Sequence, residues 1–169
     1  LMQEEGLDAA DVAGVEALGS RVVELQCGRD YEPATVLQAQ MSLKYALAVA
    51  MLDGKARLPQ FAPGRIADPA VAELARRVRF VVDPYIDGVY PERFAGGVTP
   101  LRAEGRRLTR VVEHPTGSPG RPMTRDQVVE KFLETAGAVV DRSRAGRVAE
   151  LALQVERLDD IRALTAELA

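Results

Sequence analysis

Gln40, Ser42, Lys44 and Tyr45 lie close together and carry an amide, a hydroxyl, an ammonium and a phenol, all hydrogen-bond donors. They open an apolar stretch, LKYALAVAMLDG, in which Leu43, Ala46, Leu47, Ala50 and Met51 follow the i, i+3, i+4, i+7, i+8 spacing of a helix. Tyr45, Val49 and Leu52 carry the apolar surface further round, so this helix is expected to be buried. Ser42 is a good N-cap, and Asp53-Gly54 closes the element. A cation in the first turn stands against the positive end of the helix dipole, so Lys44 makes most sense beside an anion. The four side chains and the free amides of the turn would then form a donor-rich cup for a carboxylate. Tyr45 is the catalytic candidate, because a phenol with a pKa of about 10 is a proton donor at neutral pH toward a carbanion or enolate. Gln40, Ser42 and Lys44 are the candidate substrate-binding residues. The same residues also read as a plain core helix, with Ser42 as its cap, Lys44 solvated and Tyr45 packed, and both readings stand at this point.

Other chemical tools are scarce. His114 is the one histidine and Cys27 the one cysteine, which removes a His–His metal site, an intrachain disulfide, a thiolate cluster and a triad built on a separate imidazole. His114 stands before Pro115, where a turn role fits better than acid–base chemistry. No metal and no organic cofactor is implied. A net charge of -3, an aromatic content of 5% and the lack of Trp argue against nucleic acid as a partner. The longest apolar run, Tyr45 to Leu52, is too short to span a bilayer, so no membrane partner is expected, and with a single cysteine a reducing cytoplasm fits best.

The elements that would hold these residues form a single α+β domain over residues 1–169. Val12, Val15 and Ala17 mark an early strand, after which RVVELQC reads equally as a short helix or more strand. Thr35 and Gln38 form a capping box ahead of the main helix. KARLPQFAPGRI reads as an irregular loop, Asp68-Pro69 as a helix start, and RVRFVVD as a strand ended by Asp83-Pro84. DPYIDGVYPERFAGG is then a long connection, and VTPLRAEGRRLTRVVEH a β-hairpin turned at Glu104-Gly105 with Arg102, Arg106, Arg107 and Arg110 on its wet face. Thr124 and Gln127 cap a second core helix carrying Val128, Phe132, Leu133, Val139 and Val140, and two further helical patterns finish the chain. The expected architecture is a two-layer sandwich, a small and mostly antiparallel sheet with helices packed on one face.

Several of these stretches also carry a resemblance. QAQMSLKYALAVAMLDG, then LPQFAPGRIADPAVAELARRV, VDP and EGRRLTRVVEHPTGSPGRPMTRDQVVEKF, in that order, resemble the C-terminal lid domain of the MmgE/PrpD family. That family includes 2-methylcitrate dehydratase, cis-aconitate decarboxylase and iminodisuccinate epimerase. The resemblance implies an α+β fold, a small di- or tricarboxylate substrate, an enolate-like intermediate, and a place for Tyr45 in the cleft between two domains. The family more often has Pro where Lys44 stands. It also implies a larger, all-helical N-terminal domain supplying a His, an Asp and a Lys for acid–base chemistry. A homodimer is the expected assembly. LMQEEGL reads like the end of a helix already under way, so the sequence is expected to be a fragment without that domain, inactive alone. The rival reading is a non-catalytic module that binds an anion or dimerises.

Overall fold

Strand β1 (Val12–Gly19) is buried along nearly its whole length because it is an interior strand, flanked on both edges. β2 (Val78–Val82) lies parallel to it, with Val15 opposite Val78 and Ala17 opposite Phe80. On the other edge β3 (Gly96–Arg102) is antiparallel to β1 and β4 (Arg110–Val112) antiparallel to β3, which gives the order β2-β1-β3-β4. The sheet is therefore mixed but mostly antiparallel, and the α+β class expected from the sequence is the one observed. The structure, a computed structural model, describes residues 1–32, 35–102 and 107–168. It divides into two compact units, Leu1–Pro115 and Thr116–Ala169.

A parallel pair needs a crossover, and in the first unit helices supply it. After the short α1 (Met2–Glu5), the segment between β1 and β2 contains α2 (Arg21–Cys27), α3 (Val36–Gln40), α4 (Leu43–Asp53), α5 (Pro63–Ile66) and α6 (Pro69–Arg76). α4 explains its own composition by having two buried sides. Leu43, Leu47 and Met51 pack on the sheet against Val12, Val15, Ala17 and Val78, while Tyr45, Ala48 and Val49 pack with Ile66, Val71, Leu74 and Ala75. A helix covered on both sides is apolar nearly all round.

Val12 reaches the same face as Val15 and Ala17 because the register of β1 on β3 shifts between Val12 and Gly14. Ala13 is the extra residue of a bulge. The opposite face is polar. Glu16 lies across from Arg79 on β2 and Thr99 on β3, and its buried carboxylate accepts from Arg79 at 2.6 Å and from Arg107 at 2.7 Å. Thr99 is buried beside it and shares a 2.8 Å hydrogen bond with Thr109.

Local signals fix most of the ends. Thr35 and Gln38 form the expected box, and Asp68 caps α6 by accepting from the Ala70 amide at 2.8 Å. RVVELQC resolves as helix, since Ser20 accepts from the Val23 amide. Two segments read as irregular contain short helices instead. Leu58–Phe61 is a 3-10 turn followed by α5, and Pro84–Gly88 forms α7, capped by Asp83 through the Tyr85 and Ile86 amides. In each case a proline taken as a breaker sits in the first turn, where its missing N–H costs nothing. The turn expected at Glu104-Gly105 lies outside the described residues, as do Arg106 and the Arg102 side chain. Arg107 and Arg110, expected on a wet face, are exposed but paired with Glu16 and Glu4.

In the second unit α8 (Arg125–Ala136) carries the expected Thr124/Gln127 box and packs with α9 (Arg142–Ala152), followed by α10 (Arg162–Ala166). The expectation of a core helix running to Val140 is corrected here. α8 stops at Ala136, none of its residues is fully buried, and Val139 beyond it is 87% exposed. The buried residues of this unit, Ala145, Val148 and Ala149, belong to α9. So short a unit has too little interior to enclose both helices. No described helix is long and apolar enough to cross a membrane.

Candidate functional site

The first turn of α4 places its three candidates in three different settings. Ser42 is buried, and its Oγ accepts from the Tyr45 amide at 3.2 Å, which makes it the cap expected from its position. Tyr45 has no exposed surface, and its hydroxyl donates to the backbone carbonyl of Gln60 at 2.5 Å. Its ring sits 4.9 Å from that of Tyr31 and 5.4 Å from that of Phe61, both tilted, so three aromatic rings fill one pocket of the core. Burial pushes the Tyr45 phenol above its ordinary range, with Arg65 pulling it down and Asp53 and Asp68 pushing it further up. The proton therefore stays on at neutral pH.

The acceptor of that proton is itself fixed. The Gln60 side chain is buried, accepts from the Arg57 amide at 3.2 Å and donates to Asp53 at 3.2 Å. Arg65 then joins Asp53, at 2.5 Å, to Asp68, the cap of α6. This chain of charge-assisted bonds ties the end of α4, the 3-10 turn, α5 and the start of α6 around the Tyr45 hydroxyl.

Lys44 points elsewhere. Its Nζ lies 2.5 Å from Asp30, in the segment between α2 and α3, and the two partners differ sharply in exposure, with side chains 14% and 95% exposed. The hydrogen bond and charge of Lys44 hold the Asp30 carboxyl below its usual range. An anion does stand beside Lys44, and it belongs to the chain. Gln40 ends α3 with an exposed side chain. The donor-rich cup thus separates into a cap, a satisfied phenol, an ion pair and a surface amide.

Three participants carry no signal in the sequence. Asp30 is one acid in an irregular segment, Gln60 takes part through a backbone oxygen, and Tyr31 joins only by its ring and a 3.3 Å bond to the Ile66 carbonyl. His114 is half-buried after β4. Among the described residues no three His, Cys, Asp or Glu side chains gather to hold a metal ion. The first unit also has a mainly apolar cavity of about 630 Å3 between Val15, Val98 and Pro100 of the sheet, Leu47 and Met51 of α4, and Leu7. It lies on the sheet side of α4 and contains none of the four candidates.

Comparison with known proteins gives this geometry a setting. The sequence model described as the MmgE/PrpD C-terminal domain matches residues 1–157. The chain is similar to the cis-aconitate decarboxylase of Aspergillus terreus, 33% identical over 131 residues that make up 76% of this chain and 26% of that protein. It is also similar to a cis-aconitate decarboxylase-like protein of Aspergillus oryzae, 28% identical over 135 residues, which are 79% of this chain and 27% of that one. The chain spans about a quarter of the length of these curated relatives.

Proposed function

Because this chain belongs to the MmgE/PrpD family, matching its C-terminal domain over residues 1–157, we propose that it is one domain of a lyase or isomerase acting on a small di- or tricarboxylate. The observation that carries the reading is the likeness to cis-aconitate decarboxylase across three quarters of the chain. Chemistry of this class begins with loss of a proton next to a carboxylate, giving an enolate-like intermediate. Expulsion of water, loss of carbon dioxide or reprotonation on the other face then sets the product. Residues outside this chain, in an N-terminal helical domain, would take the first proton, and the whole would work as a homodimer in the cytoplasm.

Within this chain Tyr45 is the proton donor of the proposal. The phenol is protonated at neutral pH, as a proton donor to a carbanion must be. To act, the hydroxyl must exchange the Gln60 carbonyl for a substrate atom, a local movement of the segment that carries Gln60. Lys44 supplies positive charge for a carboxylate, and Gln40 and Ser42 are the further binding residues of the proposal. The second reading, a non-catalytic module that binds anions or dimerises, is favoured by the hydroxyl's being satisfied inside the core.

Tyr45→Phe in the whole protein, assayed with cis-aconitate and 2-methylcitrate, separates the two. The enzyme reading expects turnover to fall roughly a hundredfold to a thousandfold, as when an oxyanion-hole donor is lost, once the variant is shown to be folded. Full activity in a folded variant would return Tyr45 to packing.

A further inference from the structure

The ion pair of Lys44 with Asp30 joins a held cation to a free anion. Lys44 grows from the first turn of an eleven-residue helix and its side chain is 14% exposed, so its stem is fixed by the surrounding residues. Asp30 is 95% exposed, and Lys44 is the side chain it bonds at 2.5 Å. Its neighbour Tyr31 is anchored, with the ring against Tyr45 and the hydroxyl on the Ile66 carbonyl. The Asp30 side chain can therefore turn away from Lys44 without disturbing the backbone that Tyr31 holds. Exposed ion pairs of this kind contribute little to stability, because water serves each partner nearly as well. A cation left at the start of a helix, however, is poorly placed without an anion, because the dipole opposes it.

We propose that Asp30 is a resident carboxylate that occupies Lys44 until the carboxylate of a ligand displaces it, so that Asp30 sets how tightly this site takes a polycarboxylate. The idea rests on the polycarboxylate reading above and adds to it a competing group from the chain itself. A ligand with two or three carboxylates outcompetes Asp30 by placing more negative charge at the same point. A monocarboxylate gains no such advantage, so the exchange also selects for charge number.

The test is an amide chemical-shift titration of this chain with citrate at pH 7 and low ionic strength, followed at Lys44 and Tyr45. Removing the competitor in Asp30→Asn should tighten citrate binding by roughly twofold to fivefold, the range that exposed ion pairs span. Removing the cation in Lys44→Gln should abolish the shifts, and the double variant should behave like Lys44→Gln. The gain should shrink in 0.5 M salt, where the Debye length falls to about 4 Å. Acetate should bind the Asp30→Asn variant far more weakly than citrate does. Asp30→Ser, which also lacks the charge, guards against an effect peculiar to Asn. The proposal is overturned if neither Asp30 variant binds citrate more tightly than the unchanged chain, if no form binds it, or if Lys44→Gln binds it equally well. Turnover in Tyr45→Phe is independent of all these outcomes, so this inference and the proposed activity fail separately.

Discussion

α4 and α8 are written alike and end up unlike. Each opens on a hydroxyl cap, Ser42 or Thr124, each carries apolar residues at helical spacing, and each runs for about three turns. α4 nevertheless buries Tyr45, Ala48 and Val49 completely, whereas α8 has no fully buried residue. The difference lies in what surrounds them. Within its unit α4 has the sheet on one side and α3, α5 and α6 on the other, while α8 has α9 as its main neighbour. An apolar stripe states what a helix offers for burial, and the amount of neighbouring structure decides how much is accepted.

The contrast would break most visibly at Tyr45. Tyr45→Ala empties the centre of the aromatic trio and should cost roughly 3 to 5 kcal/mol, the range for large aromatic truncations. All four tyrosines lie in Leu1–Pro115, so tyrosine fluorescence during urea unfolding reports this unit alone. A loss below about 1 kcal/mol would mean that α4 is no better buried than α8.

A smaller effect should appear at high pH. The folded-state pKa values of Tyr45 and Tyr31 are raised, chiefly by burial, so the unfolded chain loses these protons first, near the ordinary value of about 10. Their contribution to stability is complete below about pH 10 and is lost as the pH rises through the folded values. Unfolding free energy should therefore decline steeply above about pH 10, and Tyr45→Phe should make that decline shallower. The same variant should be less stable at neutral pH by about 1 to 3 kcal/mol, since the Gln60 carbonyl loses its donor inside the core. An unchanged alkaline slope in Tyr45→Phe would show that the phenol is not buried as described.

The smallest differences sharpen the comparison by vanishing. Ser42→Ala and Thr124→Ala should each cost about 1 kcal/mol, because both hydroxyls accept from a first-turn amide. Val139→Ser, at 87% exposure, should stay within about 0.5 kcal/mol. Circular dichroism of urea-unfolded samples measures both units. A cap at Ser42 worth several times the one at Thr124 would place the contrast in the helix starts and not in their surroundings.

How much of this was legible follows from the kind of signal involved. The strand at Val12, the main helix with its cap, the Asp68-Pro69 start and both capping boxes rest on residues a few positions apart, and all of them appear in the structure. Asp83-Pro84 shows the limit, since an Asp-Pro pair like the one that starts α6 reads in sequence as the end of β2, and it also begins α7. The candidate turn shows in its donor types, which do not carry the directions of those donors. Whether Lys44 meets Asp30, and Tyr45 meets Gln60, depends on chain segments fourteen and fifteen residues away. A backbone carbonyl that receives a phenol leaves no mark in the residue types at all.

The bulge in β1 bears on how the length of this chain can vary. Ala13 is exposed and has no partner of its own in the register, which passes from Val12 opposite Arg102 directly to Gly14 opposite Leu101. If Ala13 were absent, Val12 would still share a face with Val15 and Ala17, and Glu16 would still meet Arg79 and Thr99. Loss of a residue from the regular part of the strand would instead exchange the two faces, sending a carboxylate toward α4 and a valine toward the arginines. A single codon lost at Ala13 is thus a change the sheet can absorb, while the same loss four codons later, at Ala17, is one it cannot.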